Sequence, residues 1–400
     1  MKCFNFHCQG ESHKAVDKVC QDFSYSSVDE KGVAIAIVCD GHGGNRYFRS
    51  DIGARFAAEI TERNVNVFLQ SIDPALFKDK PYTAKSAVQT EINEGDFEKE
   101  NQLGKAFRQL FASIISGWYE KIQAYTFENP LTDKEKETVD LKYQDEFLNG
   151  NAIEKTYGCT LMTFVSTPTF WFAFHLGDGK CISFDTDANW KEPIPWDERC
   201  FLNKTTSLCD EDAINEFRYC YEGDGVFPMI TFLGSDGIDD SFGEESNLVN
   251  FYVQIAKLIA TTGLENAQND IVTTLPQLSQ IGSQDDMSVA FVYDEEKIVE
   301  AYPKFINWQI ASTKAKIFTI NNKIIQSIEE KEKLLLLPEE SQKVQIELRY
   351  AQNAIEKGYA QKHQLVKTMN LLLKELNGDD FEPYWDDLGM EFKQTEDFND

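Results

Sequence analysis

Four short acidic motifs stand out for the chemistry they could do: Gln21-Asp22, Asp40-Gly41-His42-Gly43-Gly44, Gly234-Ser235-Asp236-Gly237-Ile238-Asp239-Asp240, and Asp285-Asp286-Met287-Ser288. Apolar runs of strand type adjoin three of them. Val33 to Cys39 leads into Asp40, Met229 to Leu233 leads through a Gly-Ser step to Asp236, and Ser288 to Val292 follows Asp285 and Asp286. Buried strands would hold these carboxylates rigidly. Several carboxylates gathered at strand ends repel one another and are costly to desolvate, so the cluster calls for cations. An all-oxygen ligand set selects hard ions, magnesium or manganese before calcium.

The elements that must position these groups fall into two regimes. Up to about residue 300, strand-like runs, helical stretches and acidic loops alternate. A helix is expected from Tyr47 to about Glu62, where Phe48, Ile52, Phe56 and Ile60 recur every four residues, and another from Leu103 to Trp118. Thr160–Ser166, Thr169–His175 and Lys180–Phe184 read as three strands of an antiparallel meander, the last two joined by Gly177-Asp178-Gly179. The expected fold is α+β: a central β-sandwich of two antiparallel sheets flanked by helices, in α-β-β-α layers. The acidic stretches 79–101 and 128–155 read as surface insertions that hold no chemistry.

After Tyr302 the pattern becomes helical. Ile310, Ile317, Ile320, Ile324 and Ile328 form one series, and Val344 to Leu376 a second, broken at Leu337-Pro338-Glu339-Glu340-Ser341. Two long amphipathic helices folded back as an antiparallel hairpin are expected. The expected organisation is a catalytic domain over 1–300, a hairpin extension over 301–376 and an acidic tail over 377–400. That tail carries nine acidic side chains among Phe381, Tyr384, Trp385, Phe392 and Phe398. The hairpin reads as a stabilising arm or, with the tail, as a surface for a protein partner or self-association.

Composition excludes some function classes. The chain has 39 basic and 67 acidic residues, a net charge of −28, which repels nucleic acid and anionic membranes. Nine cysteines without paired spacing fit a reducing cytoplasm. No signal peptide and no apolar run of membrane-spanning length is expected. The soft-ligand types Cys3, His7, Cys8 and His13 alternate along a strand and do not read as a zinc site. No P-loop is present, which disfavours kinase or ATPase chemistry.

In their order, the four motifs resemble the metal-dependent serine/threonine protein phosphatases of the type 2C class over residues 1 to about 295. The Gly10-Glu11-Ser12-His13 opening resembles a bacterial-like variant. The resemblance implies that Asp40 bridges two divalent ions, that Gly41 lends its carbonyl, that Asp22 lies beside the pair, and that Asp236 and Asp285 complete one ion's coordination. It implies His42 as general acid, and Asp178 and Asp240 as outer carboxylates, Asp178 toward a third, weaker ion. A hairpin aspartate is the other reading of Asp178. Asp239 and Asp286 depart from the family pattern, replacing an aromatic residue and an asparagine. The family's phosphate-clamping arginine before the first aspartate is missing too, since that stretch reads Lys14-Ala15-Val16-Asp17-Lys18. His13, Lys14, Lys18 and Arg46 are the candidates for its role.

Chemistry and resemblance converge on a phosphomonoester hydrolase acting on phosphoserine or phosphothreonine in proteins, by attack of a hydroxide bridging two Mg2+ or Mn2+ ions. The alternatives are a pseudo-phosphatase that binds partners through residues 301–400, or a hydrolase of a small phosphorylated molecule.

Overall fold

The structure, a computed structural model, describes residues 1–85, 97–148, 153–200, 204–337 and 342–386. Among the described residues, eleven strands form two antiparallel sheets: β1 Lys2–Cys8, β2 Phe23–Val28, β3 Ala34–Cys39, β4 Thr83–Lys85, β5 Leu161–Ser166, β6 Trp171–Leu176, β7 Lys180–Phe184, β8 Trp190–Lys191, β9 Arg218–Glu222, β10 Ile230–Gly234 and β11 Met287–Tyr293. One sheet runs β1-β11-β10-β7-β8 and the other β2-β3-β5-β6-β9-β4.

The unbroken apolar run of β3 is explained by burial on both faces. Ala34, Ala36 and Val38 point between the sheets, where they meet Phe164, Trp171, Leu233 and Ala290. Ile35, Ile37 and Cys39 point the other way, into a layer with Phe56, Phe107, Phe111 and Trp118. Those aromatic residues come from helices Ser50–Ser71 and Phe97–Glu128, which cover the six-stranded sheet. Helices Glu245–Thr262 and Leu264–Ile281 serve the five-stranded sheet, with Tyr252 stacked on Phe232 at 4.5 Å. Two antiparallel sheets between helices are the architecture the sequence leads one to expect.

Three local expectations need correction. The first helix starts at Ser50, not Tyr47, because residues 43–49 turn around the end of β3: Tyr47 N donates to Gly44 O and Ser50 N to Tyr47 O. The second correction concerns the meander. β5 and β6 pair as a hairpin, but β6 then pairs with β9 while β7 pairs with β10, so Gly177-Asp178-Gly179 crosses between sheets instead of turning a hairpin. The reading of Asp178 as a hairpin aspartate therefore falls. Third, the stretch 128–155 contains helices Asp133–Thr138 and Leu141–Leu148, and its last residue, Lys155, pairs with Asp210 at 3.1 Å.

The chain divides into two compact units, Met1–Ala301 and Tyr302–Asp400. Helix Glu295–Leu335 begins ahead of the periodic isoleucines and accommodates Pro303. In the second unit it runs against helix Gln342–Asn377 in the opposite direction, as the pairs Tyr302–Glu375 and Lys331–Gln352 establish. The end of the described chain folds back onto these helices. Asp386 accepts from Lys362 at 2.9 Å and Asn321 at 2.8 Å, and Tyr384 N donates to Asn370 at 2.6 Å. Phe392, Phe398 and the break at Pro338 lie outside the described residues. Among the described residues no helix is long and apolar enough to cross a membrane.

Candidate active site

β3, β10 and β11 all end or begin at the same edge of the sandwich, and the carboxylates predicted from sequence meet there. One cleft is lined by Asp22, Asp40, Gly41, His42, Asp178, Asp236 and Asp285, together with Gly43, Thr160, Thr205 and Asp286. Asp40 is fixed by its own backbone: its amide donates to Thr160 Oγ1 at 3.0 Å and its carbonyl accepts from Thr160 N at 2.8 Å. Gly41 then bridges to Cys159. A Cβ on Gly41 would stand 2.4 Å from Gln21 O and 2.9 Å from Ser50 O, so the close approach of three segments demands glycine here.

The carboxylates are strongly perturbed. Burial, reinforced by the charges of Asp236 and Asp22, pushes the Asp40 carboxyl well above the usual range. Burial also raises Asp22, with Asp286 adding to it, and brings Asp236 up to about 6 even though Asp40 hydrogen-bonds to it. Among the described residues no three His, Cys, Asp or Glu side chains are arranged to hold an ion, and the Asp40 and Asp236 carboxyls hydrogen-bond to each other. Yet the chemistry of the set fits a cation: buried, mutually repelling oxygens, with Asp22 Oδ2 lacking any hydrogen-bond partner among the described residues.

The outer candidates separate. Asp285 is exposed, its side chain 56% accessible, and it faces the cleft from β11. Asp178 lines the cleft, its carboxyl raised by burial and held by Thr205. Asp240 is exposed and does not line the cleft, although its charge is felt by Asp178, Asp236 and Asp239. Asp286 is the surprise: it is buried, and accepts from Gly10 N and Gln21 N, each at 2.6 Å, with His13 Nδ1 2.9 Å away. Burial opposes its charge, but these partners hold its carboxyl below the usual range. Asp286 and His13 form a clamp on the N-terminal segment.

Among the basic candidates, Lys14 pairs with Glu11 at the surface, away from the cleft. Arg46 lies over the Tyr143 ring at 4.3 Å. Lys18 reaches the rim: its Nζ donates to the carbonyl of Gly43, a cleft residue, and feels the charges of Asp286 and Asp285. His42 is half-buried, edge-on to Tyr47 at 4.8 Å, and burial lowers its pKa to about 4, Asp210 and Lys155 acting in opposite directions. Gln21, not expected to act, ties the site together by donating from its side chain to His42 O at 3.0 Å. Thr160 and Thr205 carried no signal in the sequence, since neither is acidic nor part of a motif.

A family model described as Protein phosphatase 2C matches residues 9–275, more than half of the chain. The chain belongs to the protein phosphatase 2C family. All four acidic motifs that line the cleft start within or just beyond that span, and the chain is a phosphatase of this type. Several solved structures are similar to this family member. Serine/threonine phosphatase Stp1 from Staphylococcus aureus is 12% identical, with a TM-score of 0.42 over 74% of this chain and 95% of that one. The catalytic domain of serine threonine protein phosphatase PstP, in complex with 2 manganese ions, is 15% identical with a TM-score of 0.40 over 73% and 98%. A C. elegans sex determining protein is 14% identical with a TM-score of 0.42 over 76% and 67%. No curated protein matches the sequence.

Proposed function

We propose that this phosphatase hydrolyses phosphoserine and phosphothreonine in proteins, with magnesium or manganese held by Asp22, Asp40, Gly41, Asp236 and Asp285 and a weaker ion toward Asp178. The observation that carries this reading is the convergence of Asp22, Asp40, Asp236 and Asp285, separated by up to 263 residues of chain, on one cleft. Two such cations, when bound, neutralise phosphate charge and lower the pKa of water.

The protein's own groups supply the rest. Lys18 at the rim offers a cation to the incoming phosphate in place of the absent arginine. His42, whose backbone is held by Gln21 and Gly158, lines the cleft and in this reading assists protonation of the leaving serine or threonine oxygen. The cleft encloses about 90 Å³, room for a phosphoryl group and a few waters. Pockets that engulf a small organic ligand are several times larger, roughly 300 Å³ and above. This favours a phosphorylated side chain presented from a protein over a buried metabolite. The nine free cysteines agree with a cytoplasmic setting.

The test is release of phosphate from a phosphothreonine peptide by the purified full chain with manganese. Asp40→Asn and Asp236→Asn should each abolish it and remove manganese binding in calorimetry. Activity surviving both substitutions would disprove the proposed site, and a wild type that binds a protein partner through residues 301–400 but binds no manganese would be a pseudo-phosphatase.

A further inference from the structure

The turn that carries Asp178 is held by a residue that belongs to no motif. Three residues, Gly177, Asp178 and Gly179, take the chain from β6 in one sheet to β7 in the other. Gly177 has a φ of +133°, and a Cβ there would lie 2.5 Å from Thr160 Cβ. A sheet-crossing turn has no ladder to fix it, so its buried carbonyls need donors from elsewhere. Arg218, at the start of β9 and 2% exposed, is that donor. Its Nη2 donates to Gly177 O and lies 3.0 Å from His175 Nδ1, its Nη1 donates to Pro195 O at 3.0 Å, and its Nε stands 3.9 Å from Asp197 Oδ2.

The same guanidinium therefore fastens two things. One is the turn presenting Asp178. The other is the stretch from Pro195 to Cys200, where Asp197 also binds Arg199 at 2.7 Å and Cys200 Sγ donates to Gly177 O at 3.3 Å. A few residues further on, Thr205 lines the cleft and hydrogen-bonds Asp178. A buried arginine whose nearest carboxylate is 3.9 Å away gains little net stability over an apolar side chain of similar volume. What its rigid planar fork adds is direction.

We propose that Arg218 is a positioning residue for the phosphatase reaction: by clamping Gly177 O and Pro195 O together it sets the direction in which Asp178 and Thr205 face the cleft, and with it the affinity for the outermost cation. This rests on the function proposed above. Arg218 does not line the cleft, so its effect must pass through Asp178.

The experiment is a double-mutant cycle with Arg218→Met and Asp178→Asn in the full chain, read by manganese calorimetry and by hydrogen exchange of the Asp178 and Gly179 amides without cations. Each single variant should weaken the weaker manganese step about 5- to 50-fold, and Arg218→Met should add almost nothing once Asp178 is gone, as expected for groups acting through one another. Amide exchange should speed up in Arg218→Met even without manganese. Arg218→Lys, which keeps the charge but not the fork, should restore the step only in part. An unchanged weaker step, or losses that add up in the double variant, overturns the proposal. Should Arg218→Met fail to fold, Asp197→Asn, which loosens the same clamp from outside, should weaken that step several-fold, and no effect there is equally fatal. A wild type that neither binds manganese nor releases phosphate defeats the function itself, whereas an active wild type with an indifferent Arg218 defeats only this inference.

Discussion

Gln21 donates its backbone amide to Asp286 at 2.6 Å, across 265 residues of sequence. With Gly10 on the other carboxylate oxygen and His13 beside it, Asp286 pins the segment 10–21 to the start of β11. The Gln21 side chain then reaches to His42 O and to Ser50 at the start of the first long helix. A single carboxylate therefore sets the N-terminal segment, and through Gln21 the backbone of the Asp40-Gly41-His42 motif. The departure from asparagine at this position is better explained by amide and histidine bonding than by added charge for a metal.

Asp286→Asn should destabilise the fold by about 1.5–3 kcal/mol, the scale of hydrogen bonds to a charged group, because the amide leaves only one acceptor oxygen for two backbone donors. The sign of its pH dependence follows from the lowered carboxyl pKa in the folded chain. The contribution is present above the unfolded value near 3.9 and is lost as pH falls through the folded one. Urea melts of wild type and variant should differ by a constant amount from pH 5 to 8 and converge below about pH 4. A difference that disappears already at pH 6 would contradict the clamp.

The opposite sign is expected at the heart of the cleft. Asp236 titrates at about 6 in the folded chain, above its unfolded value, so it binds a proton more tightly when folded. Without cations its contribution to stability is greatest at low pH and declines as pH rises from about 4 through 6. Asp236→Asn should therefore stabilise the cation-free protein relative to wild type at pH 7.5, by about 1–3 kcal/mol, and much less at pH 4.5. Manganese should reverse the order, stabilising wild type alone. A cation-free variant less stable than wild type at pH 7.5 would count against carboxylate repulsion in the cleft.

How much of this was legible depends on the kind of signal. Asp40, Asp236 and Asp285 could be read because buried strands leave continuous apolar runs, and the carboxylates mark where those runs meet water. The sheet crossing at Gly177 could not: a Gly-Asp-Gly between two strands looks the same whether the chain turns back in one sheet or passes to the other, and only the pairing of β6 with β9 decides. Arg218 was invisible for a related reason. At the start of a short strand reading Arg-Tyr-Cys-Tyr-Glu, an arginine looks like a solvated edge residue, and its burial depends on Gly177 and Pro195 arriving from distant segments. Lys155 was dismissed with its acidic surroundings, yet its charge reaches His42.

Gly41→Ala should be as damaging as loss of a ligand. The added carbon would meet backbone oxygens of Gln21 and Ser50, not flexible side-chain tips, so the three segments must move apart. Overpacking of this kind costs about 1–3 kcal/mol. Loss of manganese binding in calorimetry, together with a lowered melting temperature, is expected. An alanine variant that binds manganese as wild type does would show that Gly41 is not at a tight point of the site.

Lys18→Ala should raise the KM for a phosphopeptide about tenfold with little change in kcat, equivalent to about 1.4 kcal/mol of binding. Its Nζ at the Gly43 carbonyl stands on the rim, where it can meet the phosphate before the chemical step and after it alike. Lys18→Arg, with two donors on one fork, should match or improve on wild type. An unchanged KM in Lys18→Ala would shift the phosphate-binding role to another cation.

His42 is expected to matter in proportion to the difficulty of the leaving group. Burial lowers its pKa to about 4, so in the cation-free chain the ring is neutral at pH 7 and donates through an N–H, becoming a full acid only when a bound phosphate draws a proton onto it. A serine or threonine alkoxide needs that proton; p-nitrophenolate, far less basic, does not. His42→Gln should therefore lower kcat for a phosphothreonine peptide by roughly 100-fold or more, the usual scale of general acid catalysis, while p-nitrophenyl phosphate is slowed much less. Gln21→Ala should reproduce part of this asymmetry, since it removes the side-chain bond to His42 O without touching the ring. Equal losses on both substrates would mean that His42 supports the structure of the motif and takes no part in protonating the leaving oxygen.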